Sequence, residues 1–487
     1  MQLTYQPRTP QWLLIGFVLL GVWLRAKGLF DNSFHTDEAL FASWARLIAT
    51  GRDLWLQTQL VDKPPLLFYV QAVALKLMRP IEWAARLPNW FASVLLIPLV
   101  YQWVRCQWRD RLSALIAAVL LTLSPFMIQF SSTAFTDPLM VALLVAGLSV
   151  HSHRASGVLF GLSLATKYQA ILLLPLLWRR VDWRYVVGVL GLVVCWMVVA
   201  GQGFSGSGDA LLIGGIRPIS SYELLPRWQA WQAHLFPIVR LPIQAIFLIC
   251  TALLYLFGST ESAERRGEER KGAADRYLWL MMIIYFCFHW LIATPLYDRY
   301  MLPLAVMVIV LMARATAVCW RDLPQEQRGS IPPQSEGTRG TIVFALRSCA
   351  RFCGWVLLPI VFGYLLMAGV RARNGQFAVG GQISADEGAS EIANYFADAP
   401  YGTVLYDHWY SWQWRFHLLE TGVYTEWVPA PDTLINNLDV FYDNQRYIVL
   451  PADARAAPFQ RALSNGGYQL QKRLQSDAMI LYQIMQD

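Results

Sequence analysis

Apolar runs of about 20 residues recur along the chain, and they constrain its fold more than any other feature. A helix of about 20 apolar residues crosses the hydrocarbon core of a bilayer. Only 15% of the 487 residues are charged and 56% are hydrophobic, whereas an ordinary soluble domain carries about 25% charged residues. The sequence therefore predicts a polytopic α-helical membrane protein. Its candidate spans are 11–30, 86–104, 112–130, 138–150, 185–201, 241–258, 277–293, 300–316 and 349–370.

Basic residues between these spans set the predicted orientation. Arginine and lysine are enriched in the cytoplasmic loops of membrane proteins. The clusters at 105–111, 179–184, 265–276 and 321–351 fall on one face if the N-terminus is cytoplasmic. Arg25 and Lys27 then lie near the outer face, against the rule. This topology also explains the net charge of +7, so we expect no nucleic-acid partner. The outer face receives 31–85, 131–137, 202–240, the loop at 297–299 and the tail 371–487.

One apolar stretch does not fit a straight span. The turns at 151–154 and 179–184 are both predicted to be cytoplasmic, yet only 155–178 separates them. A broken or re-entrant pair of helices that turns near Thr166-Lys167-Tyr168 satisfies both placements. Irregular backbone at membrane depth is tolerated only where protein or a water-filled cavity covers it, so Lys167 is predicted to face a cavity.

The tail 371–487 is polar and differs in composition from the rest of the chain. Short apolar runs alternate in it with stretches typical of helices. We therefore divide the chain into a membrane domain, 1–370, and a small outer α/β domain, 371–487. The predicted strands are 402–406, 446–450 and 478–484, and the predicted helices are 387–397 and 453–463, the second weakened by Pro458.

The outer loop 31–85 holds an acidic pair, Asp37 and Glu38. Thr36 is a candidate helix cap, and acids in a first turn complement the helix dipole. Alternatively, a carboxylate at the membrane surface acts as a general base towards a hydroxyl or an amine. The following stretch predicts an amphipathic helix that lies flat in the membrane interface. Its apolar face consists of Leu40, Phe41, Trp44, Leu47 and Ile48.

Several cations allow two interpretations. Lys63, in Asp62-Lys63-Pro64-Pro65, precedes a helix that begins with proline. It either extends to the interface or binds a lipid phosphate. Arg299 either pairs with Asp298 or binds such a phosphate, and Arg86 is ambiguous in the same way.

Asp137 stands before Pro138 at a predicted outer helix start. It either caps that helix or serves as a functional acid at the membrane boundary. Asp37, Glu38 and Asp137 would hold a divalent metal only if they converge. The sequence otherwise implies no metal site and no certain cofactor.

Motifs for several other chemistries are missing from the sequence. It contains no Gly-Lys-Ser/Thr phosphate loop and no GxGxxG, which argues against ATP-driven transport and against a soluble nucleotide-binding fold. It also contains neither HExxH nor a serine nucleophile elbow.

Six motifs in order resemble the GT-C glycosyltransferase superfamily, in its bacterial branch of lipid A aminoarabinose transferases and relatives of protein O-mannosyltransferase. The resemblance covers roughly residues 10–310. It is carried by Thr36-Asp37-Glu38-Ala39, Asp62-Lys63-Pro64-Pro65-Leu66, Ala85-Arg86-Leu87-Pro88, Thr136-Asp137-Pro138-Leu139, Gly161-Leu162 with Thr166-Lys167, and Arg299-Tyr300 with Pro303.

The resemblance implies a fold of about nine to 13 transmembrane helices in a bacterial inner membrane, with site and tail on the periplasmic side. It implies a hexosyl- or pentosyltransferase that uses a polyprenyl-phosphate sugar and inverts the anomeric carbon. The acceptor is a lipid, a glycan or a protein. Asp37 is then the base, with Glu38 in support. The donor phosphate is assigned to Lys63, Arg86, Arg299 and Tyr300, and acceptor binding or site organisation to His35, Asp137 and Lys167.

A transporter or flippase for lipid-linked glycans is the alternative. Broken helices and buried charges suit that class as well. Transporters commonly contain paired internal repeats, and we find none in this sequence. A large outer domain also adds little to a transporter.

Overall fold

The protein consists of a helical bundle followed by a small sheet domain. The computed structural model describes residues 11–31, 33–201, 217–239, 266–292, 297–321, 362–376, 388–476 and 478–486. Three 3₁₀ turns, Tyr168–Leu173, Ser221–Glu223 and Asp298–Met301, lie between helices of the bundle. The bundle helices are α1 (Gln11–Asp31), α2 (Thr36–Ala49), α3 (Leu66–Met78), α4 (Glu82–Trp108), α5 (Arg111–Leu123), α6 (Pro125–Ser131), α7 (Thr136–Ser149), α8 (His153–Thr166), α9 (Leu174–Leu177), α10 (Trp183–Val199), α11 (Leu224–Val239), α12 (Arg266–Leu291), α13 (Leu302–Arg321) and α14 (362–373).

Within the described ranges, three helices are long and apolar enough to cross a membrane: α1, α4 and the helix over Asp298–Ala317. The bent pair α5 and α6 adds a fourth if it is counted as one span. Shorter apolar helices are α3, α7, α10 and the stretch Tyr168–Leu177. The predicted span 241–258 and most of 349–370 lie outside the described residues. The polytopic helical class is confirmed.

The bend of 58° between α5 and α6 has a local cause and a buried partner. Pro125 has no N–H to donate to the carbonyl of Leu121, four residues earlier. Arg25 replaces that donor, because its guanidinium donates to the carbonyls of Leu121 at 3.1 Å and Thr122 at 3.3 Å. Arg25 is 1% exposed. This role explains why Arg25 lies near the predicted outer face, although basic residues are enriched on the cytoplasmic side.

The predicted break near Thr166-Lys167-Tyr168 is confirmed. α8 ends at Thr166, and Lys167 takes an extended conformation before the 3₁₀ turn. The chain then returns to its starting point, because the N–H of Asp182 donates to the carbonyl of His153 at 2.9 Å. The two basic turns therefore share one end of the bundle.

The amphipathic helix α2 forms as predicted, but the interpretation of its apolar face is wrong. Phe41 and Trp44 are buried in protein rather than left to lipid. Their ring centroids lie 5.7 Å and 5.0 Å from that of Phe68 in α3. The same helix also packs against a helix of the sheet domain, as described below.

Arg314, in α13, forms a buried ion cluster with Asp110 and Asp275. Its guanidinium lies 2.8 Å from the carboxylate of Asp110 and 3.2 Å from that of Asp275. Asp110 is also the N-cap of α5. The cluster joins the start of α5 and the interior of α12 to α13, and all three side chains are nearly unexposed.

The sheet domain has three layers, with helices on both faces of a five-stranded sheet in the order β2-β1-β3-β5-β4. Strands β2, β1 and β3 are parallel, and β5 and β4 are antiparallel to their neighbours. The strands are β1 (Val404–Asp407), β2 (Tyr424–Trp427), β3 (Arg446–Pro451), β4 (Tyr468–Gln475) and β5 (Met479–Gln486), and the helices are α15 (Ala389–Tyr395), α16 (Ser411–His417), α17 (Pro431–Leu438) and α18 (Ala457–Asn465).

The three predicted strands correspond to β1, β3 and β5, and both predicted helices are present. Helix α18 accommodates Pro458 because proline lies in its first turn, where no helical N–H bond is lost. The sequence analysis missed β2 and β4. Both are edge strands with mixed polar sequences, so they show no apolar run.

The sheet domain docks on the membrane bundle through α16. Arg46 of α2 donates to the carbonyl of Phe416 and lies 2.7 Å from Glu420. His417 lies 3.1 Å from Glu82 at the start of α4. The helix that begins with the acidic pair is thus held between the bundle and the sheet.

We predict that the sheet domain loses stability as the pH rises from 4 to 7. Burial raises the pKa of Asp407 to about 6, above the value of about 3.9 expected in the unfolded chain. The folded state therefore binds the proton more tightly, and the free energy of opening of the sheet domain falls by about 2 kcal/mol across this range. The protection of the β1 and β3 amides against hydrogen exchange, corrected for the intrinsic exchange rate at each pH, measures this free energy of opening.

Asp407→Asn should remove this pH dependence, because the amide does not titrate. Asp398→Asn, on an exposed residue of the same domain, should retain it. Protection that stays constant or rises between pH 4 and 7 in the unmodified protein would contradict the assignment.

Candidate functional site

Helix α2 begins at Thr36 because His35 caps it. The N–H of Asp37 donates to Nδ1 of His35 at 3.2 Å, and the N–H of His35 donates to Glu38 at 2.9 Å. The expectation that Thr36 is the cap is wrong, since Thr36 is the first helical residue. His35, which the resemblance assigns to acceptor binding or site organisation, sets the start of the helix that carries both acids.

Glu38 and Arg86 form a fully buried ion pair. The guanidinium of Arg86 donates to Glu38 twice, at 3.0 Å and 3.1 Å, and both side chains are 0% exposed. Arg86 also donates to the carbonyl of Ser33 at 2.7 Å and lies 4.9 Å from the ring centroid of Phe34. The guanidinium of Arg86 and the carboxylate of Glu38 therefore satisfy each other inside the bundle, away from the exposed surface.

The loop between α6 and α7 is held by side chains from three helices. Glu38 accepts the N–H of Ala134 at 2.6 Å. Asn89 donates to the carbonyls of Thr133 at 2.7 Å and Phe135 at 2.6 Å. Gln71 donates to the carbonyl of Ala134 at 3.2 Å. These bonds satisfy irregular backbone inside the bundle, where water cannot do so.

The sequence analysis missed Gln71 and Asn89. Each is a fully buried amide within an otherwise apolar helix. A polar residue in such a helix is costly unless it has a partner, so it signals a buried role.

Asp137 follows this loop, and two cations face it. Nζ of Lys167 lies 2.6 Å from Oδ1 of Asp137, and Nε of Arg299 lies 4.0 Å from Oδ2. Oδ2 is buried and has no hydrogen-bond partner within the part of the chain that the structure describes. Nζ of Lys167 also lies 4.0 Å from the ring centroid of Tyr300. The start of α7 and the break after α8 thus bring Asp137 and Lys167 together.

Arg299 joins Asp137 to Asp37. Its guanidinium donates to Oδ2 of Asp37 at 2.7 Å. It also lies 4.4 Å from the ring centroids of both Phe135 and Tyr297. Aromatic faces stabilise a guanidinium that has left water. Arg299 is therefore fixed between two carboxylates.

We call Asp37, Arg299, Asp137 and Lys167 the charged cluster. Its net formal charge is zero, since two acids face two bases. The side chain of Asp37 is 34% exposed, whereas those of Asp137, Lys167 and Arg299 are 1%, 7% and 7% exposed. Asp37 is thus the member of the cluster that a ligand can reach.

Lys63 lies beside the same helix. Its Nζ is 2.6 Å from Asp62 and 5.0 Å from the ring centroid of Phe41, and its side chain is 23% exposed. The structure therefore places Lys63 near α2 but does not pair it with the charged cluster.

His289 is a further neighbour that the sequence analysis missed. Its ring centroid lies 6.0 Å from that of Tyr300, and its Nδ1 lies 2.9 Å from the carbonyl of Tyr285. Nε2 is buried without a hydrogen-bond partner among the described residues. A histidine inside an apolar helix was the available signal.

The acids are not arranged as a metal site. The described ranges contain no group of three or more histidine, cysteine or acidic residues placed to hold a metal ion. Glu38 pairs with Arg86, Asp37 with Arg299 and Asp137 with Lys167. Each carboxylate thus has its own cation.

We predict that the two adjacent acids differ in their effect on stability. Glu38→Gln should lower the free energy of unfolding by about 3–5 kcal/mol, because it leaves the buried charge of Arg86 without its partner. Asp37→Asn should change it by less than about 1 kcal/mol, because this pair is partly exposed. Thermal unfolding in detergent, followed by tryptophan fluorescence, compares the two. Equal losses of unfolding free energy in the two variants would contradict the conclusion that Glu38, and not Asp37, stabilises the fold through a buried ion pair.

The comparisons with known proteins agree with this architecture. Residues 62–201 match the family described as dolichyl-phosphate-mannose-protein mannosyltransferase. That segment includes Lys63, Arg86, Asp137 and Lys167. No curated protein matches the chain at a significant level.

Two solved structures share the fold. ArnT from Cupriavidus metallidurans in the apo state matches with a TM-score of 0.60 and 16% sequence identity, over 97% of this chain and 98% of that chain. The same protein bound to undecaprenyl phosphate matches with a TM-score of 0.60 and 15% identity, over 98% of each chain. The chain is therefore a multi-pass membrane protein that shares the fold of ArnT over nearly its full length, and its residues 62–201 match the mannosyltransferase family.

Proposed function

We propose that the protein transfers a hexose or a pentose from a polyprenyl-phosphate donor to an acceptor on the periplasmic face of the bacterial inner membrane. The observation that carries the proposal is the charged cluster, which is neutral as a whole and in which one reachable carboxylate, Asp37, pairs with buried charged groups. Ionisable groups inside a membrane protein are costly and mark functional sites. The description of the matched family names dolichyl-phosphate-mannose, and one ArnT structure has undecaprenyl phosphate bound.

Asp37 is the proposed general base. As an acceptor oxygen or nitrogen attacks the anomeric carbon, its proton passes to the carboxylate. The bond between that carbon and the phosphate oxygen breaks on the opposite side, and the electron pair leaves with the polyprenyl phosphate. This direct displacement inverts the anomeric centre.

Arg299 is proposed to link donor binding to the base. Its guanidinium donates to Oδ2 of Asp37, so a donor phosphate would compete with Asp37 for the same N–H groups. A phosphate that attracts Arg299 would weaken this bond and leave the carboxylate of Asp37 free to accept the acceptor's proton. The fixed position of Arg299 between two aromatic rings limits its movement.

Lys63 and Tyr300 complete the proposed phosphate side. Lys63 is a compact cation near the start of α3, suited to the charge that develops on the leaving group. Tyr300 supports Lys167 with its ring, and Lys167 and Asp137 organise the site. Glu38, Arg86 and His35 hold the backbone that positions Asp37.

The proposed periplasmic location rests on the distribution of basic residues. The contact between α16 and α2 adds a constraint, because it requires the site and the sheet domain to share one face. The proposed acceptor is a lipid, a glycan or a protein on that face.

We predict that Asp37→Asn lowers transfer about 10²–10⁴-fold, because the general base is lost. Purified protein in lipid nanodiscs would receive a panel of undecaprenyl-phosphate hexoses and pentoses, with extracted cell-envelope material as acceptor. Release of undecaprenyl phosphate measures transfer. Asp31→Asn, an exposed acid at the end of α1, is the matched control and should retain activity.

Full activity of Asp37→Asn would remove Asp37 from the mechanism. A different result would favour a transporter. In that case the unmodified protein moves lipid-linked sugar across the bilayer and releases no undecaprenyl phosphate.

We predict that the sheet domain lies on the periplasmic side of the inner membrane, where a reagent that cannot cross this membrane reacts with it. In cells with a permeabilised outer membrane, Asp443→Cys should react with a membrane-impermeant maleimide, above the background of the unmodified chain. Arg105→Cys, in a predicted cytoplasmic loop, should react only after lysis. The reverse pattern would refute the proposed orientation.

A further inference from the structure

The sheet domain has an edge where a ligand would be expected on topological grounds. β1 lies between β2 and β3 in the parallel part of the sheet. The connections from β1 to β2 and from β2 to β3 therefore run in opposite directions. In open α/β sheets, ligands bind outside the carboxyl ends of the strands at such a point.

An aromatic cluster occupies this position. His408 and Trp409 directly follow β1, Trp427 ends β2, and Phe459 lies in α18, which follows β3. The ring of His408 lies 4.6 Å from that of Trp409 and 5.2 Å from that of Phe459. Trp409 and Phe459 lie 5.3 Å apart. We call these four residues the aromatic edge.

Trp427 is both exposed and fixed. It is 54% exposed, and its ring is parallel to that of His408 within 9°, with centroids 6.2 Å apart. Its Nε1 donates to the carbonyl of His408 at 3.1 Å. His408 is itself fixed, because its Nδ1 lies 2.7 Å from the carbonyl of Val428. An indole that core packing required would be buried, whereas this one presents an ordered apolar face to its surroundings.

Polar groups surround the same edge. Asp453 and Arg455 follow β3 and pair at 2.8 Å, with side chains 54% and 62% exposed. They offer carboxylate acceptors and guanidinium donors. A rigid aromatic face beside such groups suits a saccharide, whose ring carries apolar C–H bonds on one face and hydroxyls around its rim.

We propose that the aromatic edge binds a saccharide, namely the glycan part of the acceptor. Naming this ligand as the acceptor rests on the proposed function. Helix α16 connects the edge to the site: it begins three residues after His408 and spans seven residues, or about 10 Å. Near its far end the ring of Phe416 lies 5.0 Å from that of Phe34, which contacts Arg86.

The experiment measures binding with the full chain in lipid nanodiscs. The probe is an array of oligosaccharides of two to six hexose, hexosamine or pentose units. The unmodified protein should bind at least one member, and Trp427→Ala should weaken that binding about tenfold. The control is Tyr401→Ala, since Tyr401 is 97% exposed and precedes β1 at its opposite end. It should bind as the unmodified protein does.

Failure of the array to bind the unmodified protein, or equal affinity of Trp427→Ala, overturns the proposal. Exposed tryptophans also anchor proteins in the membrane interface. Nanodiscs with brominated lipids test that outcome: if they quench the fluorescence that Trp427→Ala removes, the indole lies in lipid and the proposal is wrong.

The two proposals fail differently. Loss of saccharide binding with normal release of undecaprenyl phosphate refutes the aromatic edge alone. If the protein binds saccharides but releases no undecaprenyl phosphate, the transferase proposal is refuted, and with it the identification of the saccharide as the acceptor. Saccharide binding at the aromatic edge would still stand. Asp37→Asn should bind saccharides normally.

Discussion

The buried ion pair between Glu38 and Arg86 is the interaction on which the rest of the site depends. Removing two ions from water costs several kcal/mol each, so such a pair persists only with good geometry and further hydrogen bonds. Both conditions hold here, since Glu38 also accepts the N–H groups of His35 and Ala134. The pair thereby ties the start of α2 to the loop before α7. Asp37 lies two residues beyond His35, and Asp137 lies three residues beyond Ala134.

The same requirement for satisfied polar groups recurs through the bundle. Arg25 supplies donors to the carbonyls that Pro125 leaves without a helical bond. Gln71 and Asn89 supply donors to the loop at 133–135. In each case a polar side chain permits irregular backbone where water is excluded. The chain can then bend inward and bring remote acids and bases together without an unpaired charge.

The sequence predicted more of the membrane part than of the site geometry. Long apolar runs and the placement of arginines identified α1, α4, the 112–130 segment and the break after Thr166, because each signal is local, whereas the bend between α5 and α6 was not predicted. Buried strands β1 and β3 were visible for the same reason. The edge strands β2 and β4 were missed because their exposed positions carry polar residues and leave no pattern. Gln71, Asn89 and His289 act through partners remote in sequence, and no spacing rule indicates those partners.

The sequence by itself determined which residues could ionise and in which class of protein they stand: acids, lysine and arginine at the ends of the apolar helices of a polytopic membrane protein. It did not decide their roles. Asp37 and Glu38 are adjacent in the chain, yet only tertiary packing buries Glu38 against Arg86 and leaves Asp37 reachable beside Arg299. The physical reason is that burial and ion pairing depend on contacts between segments up to 262 residues apart, whereas composition and periodicity report only on neighbouring residues.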